Sequence, residues 1–428
     1  MRIYPVLLGC PKNRVDAEKL LACLVKLNAE VVLDPQKADI LFVNTCAFIR
    51  EAVEESLDVI FELAEGKLPH QRLVVGGCLV TRYREALLPE LPEVDQFLGI
   101  EAYRNPQAIF SPERYLPHLE GPETTERLLT ENPFYAYLKI SDGCRHVCSF
   151  CTIPRIRGSL RSVPEETVLK EAQKLLARGV QEFILVGQDV SAYGLERGEY
   201  ALPGLLRKLA SEVAPAWVRL LYLYPQGVRE ELLETMATFS NICPYFDIPM
   251  QHASPEILKR MRRPFEPEKI LALLQRIREL FPQAGIRTSV IVGFPGETER
   301  DFELLLEFLK EARFDHLGAF IFSPEEGTPA AKMPGQISEA AKEARFQEVM
   351  SLQQEISREN LKARLGQKTE VLVEGVDEEG RLVGRTPFQA PEIDGVTFLE
   401  GEAIVGEIVS ACLIRADVYD LHARVEPR

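Results

Sequence analysis

The stretch that begins at residue 141 reads Ser141-Asp142-Gly143-Cys144-Arg145-His146-Val147-Cys148-Ser149-Phe150-Cys151. It follows an apolar run, 134–140, and spaces three cysteines as C-x3-C-x2-C. Three thiolates are one fewer than the four that close a structural zinc site or an ordinary ferredoxin cluster. A cubane iron–sulfur cluster held by this loop would therefore keep one iron without a protein ligand. The alternative is a zinc knuckle completed by His146 or a distant cysteine, although zinc ligands usually come in C-x2-C pairs.

This cysteine spacing, with an aromatic residue directly before the last cysteine, resembles the signature of the radical S-adenosylmethionine (SAM) enzymes. In that superfamily the free iron binds the amino and carboxylate groups of SAM. The resemblance implies a 4Fe–4S cluster on Cys144, Cys148 and Cys151.

The composition describes a soluble globular protein. With 428 residues, the chain is long enough for two to four domains, and 46% of its residues are hydrophobic against 27% charged. No apolar run approaches the length of a membrane span, and the N-terminus lacks the layout of a signal peptide. Nine cysteines grouped in motifs fit metal or redox chemistry in a reducing compartment. We therefore predict a cytoplasmic protein without membrane contact.

The N-terminal third alternates short apolar runs (3–8, 40–44 and 73–75) with segments of helical spacing. This alternation predicts a doubly wound parallel sheet with helices on both faces. A cysteine follows each run, namely Cys10, Cys46 and Cys78. Because the carboxyl ends of parallel strands share one edge, where open α/β sheets bind ligands, we expect these thiols to meet. The helix that starts near each cysteine favours a thiolate.

The alternative is that these three cysteines are buried structural residues, since cysteine is often found in protein cores. Such a structural role is what we expect of Cys23, Cys243 and Cys412.

Three sequence motifs surround the N-terminal cysteines: Leu-Gly-Cys-Pro-Lys-Asn (8–13), Val-Asn-Thr-Cys (43–46) and Val-Gly-Gly-Cys (75–78). Followed by the C-x3-C-x2-C loop, they resemble the methylthiotransferase family of radical SAM enzymes. The resemblance implies a second, auxiliary 4Fe–4S cluster on Cys10, Cys46 and Cys78.

The central part of the chain predicts a partial (β/α)6 barrel, of the kind that carries its chemistry at the carboxyl ends of its strands. The six strand-like runs are 134–140, 181–187, 217–223, 245–250, 286–292 and 316–322. Four residues just beyond these runs are candidates to bind SAM, namely Gln188, Asp189, Gln251 and Gly293. Each of these positions is equally consistent with an ordinary turn or loop. We assign no catalytic residue beyond the cluster ligands.

Two basic segments lie in this central region. Arg155, Arg157 and Arg161 follow the cysteine loop and can pair with a carboxylate of substrate or SAM. The second segment comprises Lys259, Arg260, Arg262 and Arg263. For both segments, a solvated charged face is the default expectation.

The C-terminal region predicts a helix followed by a small antiparallel β-barrel with strands near 368–374, 381–385, 406–415 and 418–425. This module resembles the TRAM domain of the methylthiotransferases. The expected domains are an N-terminal methylthiotransferase domain, a linker, a radical SAM core, a connecting helix and the TRAM-like domain, at 1–110, 111–132, 133–337, 338–365 and 366–428.

TRAM domains often bind RNA, but residues 366–428 of this chain contain six Lys or Arg residues against thirteen Asp or Glu residues. The whole chain also carries a net charge of −15. Such charge repels phosphates and attracts a basic protein, so we expect nucleic-acid contact to be only incidental. Residues 247–254 and 390–396 resemble the RimO branch, whose substrate is an aspartate in small-subunit ribosomal protein twelve.

The resemblance implies a reaction with two roles for SAM. The cluster on the central loop gives one electron to SAM, and the resulting 5′-deoxyadenosyl radical removes hydrogen from the β-carbon of the aspartate. The auxiliary cluster supplies the methylthio group. The implied partners are ribosomal protein twelve or the small ribosomal subunit, and a one-electron donor such as flavodoxin. The alternatives are a methylthiotransferase acting on a modified adenosine of tRNA, and a metal-binding ribosome adaptor without catalytic activity.

Overall fold

The computed structural model describes residues 1–119 and 121–427. Glu120, in the expected linker, and Arg428, at the end of the expected β domain, lie outside the described residues. The chain forms two compact units. Unit 1 consists of Met1–Glu131, Tyr137–Arg145 and Thr152–Leu175, and unit 2 of Asn132–Ala136, His146–Cys151 and the chain from Leu176 onward. Within the described ranges, no helix combines the length and apolar character needed to cross a bilayer.

Unit 1 is built on a six-stranded sheet. Its strands are β1 (Arg2–Leu7), β2 (Glu30–Val31), β3 (Ile40–Thr45), β4 (Arg72–Gly77), β5 (Gln96–Leu98) and β6 (Tyr115–Leu116). They lie in the order β2-β1-β3-β4-β5-β6, and every pair is parallel. The strand order reverses between β1 and β3, which is the position at which open α/β sheets bind their ligands.

Helices cover both faces of this sheet, as a doubly wound fold requires. They are α1 (Pro11–Lys26), α2 (Arg50–Glu65), α3 (Cys78–Tyr83) and α4 (Leu87–Glu90). Successive residues of a strand point to opposite faces. Phe42 of β3 accordingly lies in one core with Leu20 of α1, while its neighbour Val43 lies in the other core with Ile60 of α2. The predicted doubly wound sheet is confirmed.

The segment around the central cysteine loop contributes to both units. It contains β7 (Tyr135–Lys139), β8 (Ser141–Asp142), α5 (Ile153–Ile156), β9 (Arg161–Ser162) and α6 (Glu165–Leu176). Strands β8 and β9 pair antiparallel. Cys144 belongs to unit 1, and Cys148 and Cys151 belong to unit 2.

Unit 2 alternates strands and helices, which confirms the predicted barrel-type core. Its strands are β10 (Glu182–Val186), β11 (Trp217–Leu220), β12 (Tyr245–Asp247), β13 (Gly285–Val292) and β14 (His316–Ile321). Its helices are α7 (Leu202–Val213), α8 (Glu230–Thr238), α9 (Pro255–Arg260), α10 (Pro267–Leu280), α11 (Glu299–Ala312) and α12 (Glu339–Ala363). Strands β10 and β11 are parallel, as are β12, β13 and β14, and a bridge between Val218 and Ile242 joins the two groups.

The C-terminal part of unit 2 is a closed five-stranded barrel, as predicted. Its strands are β15 (Lys368–Val376), β16 (Leu382–Arg385), β17 (Thr397–Glu400), β18 (Ile408–Ala416) and β19 (Leu421–Val425). The prediction of a wholly antiparallel barrel is corrected at one pair, because β17 and β19 run parallel. Strand β17 was also absent from the four predicted runs.

Candidate functional site

The three N-terminal cysteines lie at the carboxyl edge of the unit 1 sheet. Cys10 follows β1, Cys46 follows β3 and Cys78 begins α3 directly after β4, and these strands are neighbours in the sheet. The loops approach closely: a Cβ added at Gly9, whose φ is +93°, would lie 2.8 Å from Cβ of Cys46. Cys46 and Cys78 are each only 7% exposed. The structure therefore brings the three predicted ligands to one edge of the sheet, where Cys46 and Cys78 are buried and Cys10 is partly buried.

Two polar side chains join the three loops. Nδ2 of Asn13 donates to the carbonyl oxygens of Leu8 at 2.9 Å and Thr45 at 3.0 Å. Oγ1 of Thr45 in turn donates to the carbonyl oxygen of Gly76 at 2.6 Å and accepts from the backbone N–H of Leu79 at 3.3 Å. Asn13 thus connects the loop after β1 to the loop after β3, and Thr45 connects the latter to α3.

Ser56 of α2 fixes the backbone at Cys46. Its Oγ lies 3.1 Å from the backbone nitrogen and 2.9 Å from the carbonyl oxygen of Cys46, and the serine is fully buried. Both backbone groups of this cysteine are therefore held by one side chain, which restricts where its sulfur can lie.

The surroundings of the sulfurs fit an iron–sulfur cluster. Burial raises the pKa of the Cys46 thiol, while the backbone N–H groups of Phe48 and Ala47 act to lower it. Burial raises the pKa of Cys78 to about 12, against the opposing charge of Arg157. N–H donors and a cation directed at buried sulfurs stabilise thiolates, and hydrogen bonds to sulfur are a feature of iron–sulfur sites.

A cluster and a single ion make different demands on their ligands. Within the part of the chain that the structure describes, no group of three or more His, Cys, Asp or Glu side chains is arranged to hold one metal ion. In a 4Fe–4S cubane each cysteine ligates a different iron, so the sulfurs stand further apart.

The raised pKa of Cys78 predicts slow alkylation in protein without bound cluster. At pH 8 a thiol with a pKa of about 12 holds roughly a thousandfold less thiolate than one with its ordinary value near 9. We expect iodoacetamide to label Cys78 at least about a hundredfold more slowly in folded than in denatured protein, as measured by peptide mass spectrometry. Equal rates in both states would contradict the buried position of this thiol.

Arg157 is buried, so the expectation of a solvated side chain is wrong at this position. It is only 5% exposed because Asp16 and Asn13 bind its guanidinium group. Nη1 donates to Oδ2 of Asp16 at 2.5 Å, and Nη2 lies 3.1 Å from Oδ1 of Asn13 and 3.4 Å from Sγ of Cys78. Its neighbours Arg155 and Arg161 are exposed, as expected.

The central cysteine loop is anchored within unit 2 through His146. Nε2 of His146 lies 2.8 Å from Oδ2 of Asp189, and its ring stacks on Tyr224 with the centroids 3.8 Å apart. Oδ1 of Asp189 accepts from Oγ of Ser191 at 2.5 Å. Both carboxylate oxygens of this predicted SAM-binding residue therefore contact protein groups. The bond to Asp189 also engages Nε2 of His146, one of the two ring nitrogens through which a histidine can bind zinc.

Arg263 contacts the same loop and is also buried, contrary to the expected solvated face. It is 6% exposed, with Nη1 3.7 Å from Sγ of Cys148 and Nη2 donating to the carbonyl oxygen of Pro249 at 2.6 Å. Its guanidinium carbon lies 4.7 Å from the ring centroid of Tyr224. The stacking partner Tyr224 was not identified from the sequence, since a lone aromatic residue after a strand gives no specific signal.

The other three candidates for SAM binding also lie just beyond strands of unit 2. Gln188 follows β10 and is partly buried. Gln251 has a φ of +78°, and its backbone pairs with β13 through Ser289 and Ile291. Gly293 follows β13, but a Cβ there would lie 2.3 Å from Cγ of Lys342. Lys342 of α12 thus fills the position that a side chain would take at Gly293.

The remaining cysteines lie away from these loops in the chain. Cys243 is buried, as expected of a structural residue, whereas Cys23 and Cys412 are only partly buried.

Three family models match the chain. They are described as the Radical SAM superfamily (residues 138–309), Uncharacterized protein family UPF0004 (residues 2–99) and the TRAM domain (residues 365–425).

Curated relatives match over the full length. A protein of Moorella thermoacetica named ribosomal protein uS12 methylthiotransferase RimO is 46% identical over 437 residues, covering 100% of both chains. A protein of Geobacter sulfurreducens with the same name is 45% identical over 435 residues, covering 98% of this chain and 97% of the relative.

Solved structures share the fold at low identity. The radical S-adenosylmethionine methyltransferase TsrM from Kitasatospora setae gives a TM-score of 0.58 at 15% identity, covering 77% of this chain and 76% of that one. The cobalamin-dependent radical enzyme OxsB gives a TM-score of 0.53 at 14% identity, covering 82% of this chain and 56% of that one.

Proposed function

Because the chain belongs to the RimO family of ribosomal protein uS12 methylthiotransferases, we propose that it adds a methylthio group to the β-carbon of an aspartate in uS12. The substrate rests on relatives that are 43–46% identical over nearly their whole length. The structural observation that carries the chemistry is the meeting of three cysteine loops at the edge of the unit 1 sheet, in a chain that also holds a radical SAM domain.

The match to the radical SAM superfamily implies a 4Fe–4S cluster and SAM. We assign that cluster to Cys144, Cys148 and Cys151, and a second, auxiliary 4Fe–4S cluster to the edge cysteines, Cys10, Cys46 and Cys78. When bound, these groups supply one-electron cleavage of an unactivated carbon–hydrogen bond and the methylthio group that replaces the hydrogen.

The protein side chains bind and orient these groups. Asn13, Thr45 and Ser56 hold the edge cysteines, while His146 and Asp189 orient the central loop. We further propose that SAM is bound through the side chains of Gln188, Asp189 and Gln251 and the backbone at Gly293. Burial around the edge cysteines limits access of water to the site.

The C-terminal barrel fits a basic protein partner better than an RNA. Its balance of six basic to thirteen acidic residues over 366–428 opposes phosphate binding. We propose that the partner is uS12 or the small ribosomal subunit, that nucleic-acid contact is incidental, and that a donor such as flavodoxin supplies electrons. We also keep the five domains at 1–110, 111–132, 133–337, 338–365 and 366–428 as a proposal.

Product analysis tests this function. The clusters are reconstituted without oxygen, and the enzyme is given SAM, a reductant and either ribosomes or tRNA from cells that lack it. We expect a methylthio mass increment on an aspartate of uS12, located by peptide mass spectrometry. An increment on a tRNA nucleoside alone would contradict the protein substrate while leaving the radical chemistry in place. Loaded clusters with no increment on either would contradict the proposed activity.

A further inference from the structure

A buried guanidinium group lies directly against one of the edge cysteines. Nη2 of Arg157 is 3.4 Å from Sγ of Cys78, within the range of an N–H···S hydrogen bond. The same nitrogen is 3.1 Å from Oδ1 of Asn13, the residue that joins two of the cysteine loops. The orientation of Arg157 is therefore set by the same residue that sets the positions of the loops.

The charges around Arg157 form a largely buried group. Nη1 of Arg157 donates to Asp16 at 2.5 Å and to Asp142 at 3.2 Å, and Lys139 bonds both of these carboxylates. Two cations and two carboxylates balance to zero, which is the condition for burying such a group at acceptable cost. The group is nevertheless polar, because its positive end is the one that faces the sulfur of Cys78.

We propose that Arg157 is a positioning residue of the auxiliary cluster, which donates a hydrogen bond to the sulfur of Cys78 and raises the reduction potential of the cluster. This inference rests on the proposed assignment of a cluster to Cys10, Cys46 and Cys78. It assigns a role to a residue that lies 79 positions from Cys78 in the chain.

The physical reason is the charge that reduction adds. A cluster that gains one electron becomes more negative, so a fixed cation beside a ligand sulfur stabilises the reduced form. Because Arg157 is only 5% exposed, water and salt screen this interaction weakly. Lysine cannot replace the arginine fully, since one ammonium group lacks the planar fork that reaches Asp16, Asn13 and Cys78 together.

The test measures a potential rather than a rate. In the full chain, the central cysteines are replaced (Cys144→Ala, Cys148→Ala, Cys151→Ala) so that only the auxiliary cluster is loaded, and this parent protein is titrated with reductant under electron paramagnetic resonance. In this background we compare three variants: Arg157→Gln, Arg157→Lys, and a double variant that combines Arg157→Gln with Asp16→Asn. The last variant removes one cation and one carboxylate, so the net charge of the group stays at zero. Arg161→Gln is the matched control, because Arg161 lies in the same segment but is exposed.

We expect Arg157→Gln to lower the equilibrium constant for one-electron reduction about tenfold, a shift of ~59 mV to more negative potential. Arg157→Lys should shift less, and the charge-balanced double variant should remain more negative than the parent because the donor at the sulfur is still missing. Arg161→Gln should match the parent.

Two results would overturn the inference in distinguishable ways. If all the Arg157 variants bind the cluster and are reduced at the same potential as the parent, the role proposed for Arg157 is wrong and the cluster assignment stands. If the parent binds no iron or sulfide, the cluster assignment fails and the inference fails with it. Should Arg157→Gln not fold, as judged by circular dichroism, Arg157→Lys and the double variant decide the question.

Discussion

Cys148→Ala is expected to abolish both the cleavage of SAM and the methylthiolation of uS12, whereas Cys46→Ala is expected to abolish methylthiolation alone. Cys148 belongs to the loop proposed to hold the SAM-binding cluster, and Cys46 to the edge proposed to hold the auxiliary cluster. Removing a ligand from one site leaves the side chains of the other site intact. Liquid chromatography of 5′-deoxyadenosine measures the first activity, and mass spectrometry of uS12 measures the second.

Cys23→Ala is the matched control for this comparison. Cys23 lies in α1 of unit 1, the unit that contains Cys46, and its sulfur lies 3.6 Å from Oγ1 of Thr124. We expect this variant to keep both activities near the wild-type level. Full product formation by Cys46→Ala would show that the edge cysteines do not hold a cluster needed for the reaction.

Glu182→Gln is expected to have the largest effect on stability. Glu182 is fully buried between two buried arginines, with Oε1 2.5 Å from Nε of Arg219 and Oε2 2.5 Å from Nη2 of Arg385. Arg385 lies in the C-terminal barrel, so this carboxylate joins β10 and β11 to β16. Neutralising it leaves the buried charge of Arg219 undercompensated, while Arg385 keeps its pair with Glu374, and breaking a buried pair in this way typically costs about 3–5 kcal/mol. Chemical denaturation at pH 7 measures the change in the free energy of unfolding.

The dependence of this effect on pH provides a second check. Burial acts to raise the pKa of Glu182, but the charges of Arg219 and Arg385 outweigh it and lower the pKa below its usual range. The carboxylate therefore contributes stability above the unfolded-state pKa of about 4.3, and this contribution is lost as pH falls through the lower native pKa. The difference in the free energy of unfolding between wild type and Glu182→Gln should therefore become smaller below about pH 4.

Glu379→Gln is the surface control for Glu182→Gln. Glu379 pairs with Arg381 at 3.2 Å but its side chain is 72% exposed. Exposed pairs contribute little, so we expect a change of less than ~1 kcal/mol. A similarly small change for Glu182→Gln would contradict the proposed contribution of the buried ion pairs of Glu182 to stability.

The edge of the N-terminal sheet could be predicted from local patterns. Each of its three cysteines follows an apolar strand, and the carboxyl ends of parallel strands must share an edge, so the meeting of Cys10, Cys46 and Cys78 follows from topology. The same reasoning placed Gln188 and Gln251 beyond barrel strands. It did not reveal that Lys342, from a helix much later in the chain, fills the position that a side chain would take at Gly293.

The burial of Arg157 and Arg263 could not be predicted from the sequence. Arg157 and Arg263 each lie among other basic residues, a pattern typical of solvated faces. What buries Arg157 is its pairing with Asp16, which lies 141 positions earlier in the chain. Strand β17 was missed for a related reason: it has only four residues, and its parallel pairing with β19 leaves no hairpin turn as a signal.

The contacts of Asn13 restrict which residues can replace it at the edge of the unit 1 sheet. Its amide uses both kinds of polar atom, since Nδ2 donates to two carbonyl oxygens and Oδ1 accepts from Arg157. Aspartate has the same shape but no donor, and it would turn two attractions into repulsions while adding a third carboxylate beside Asp16 and Asp142. Alanine or serine is too short to reach both loops. Position 13 therefore tolerates few substitutions, although its side chain is not among the proposed ligands of a cluster.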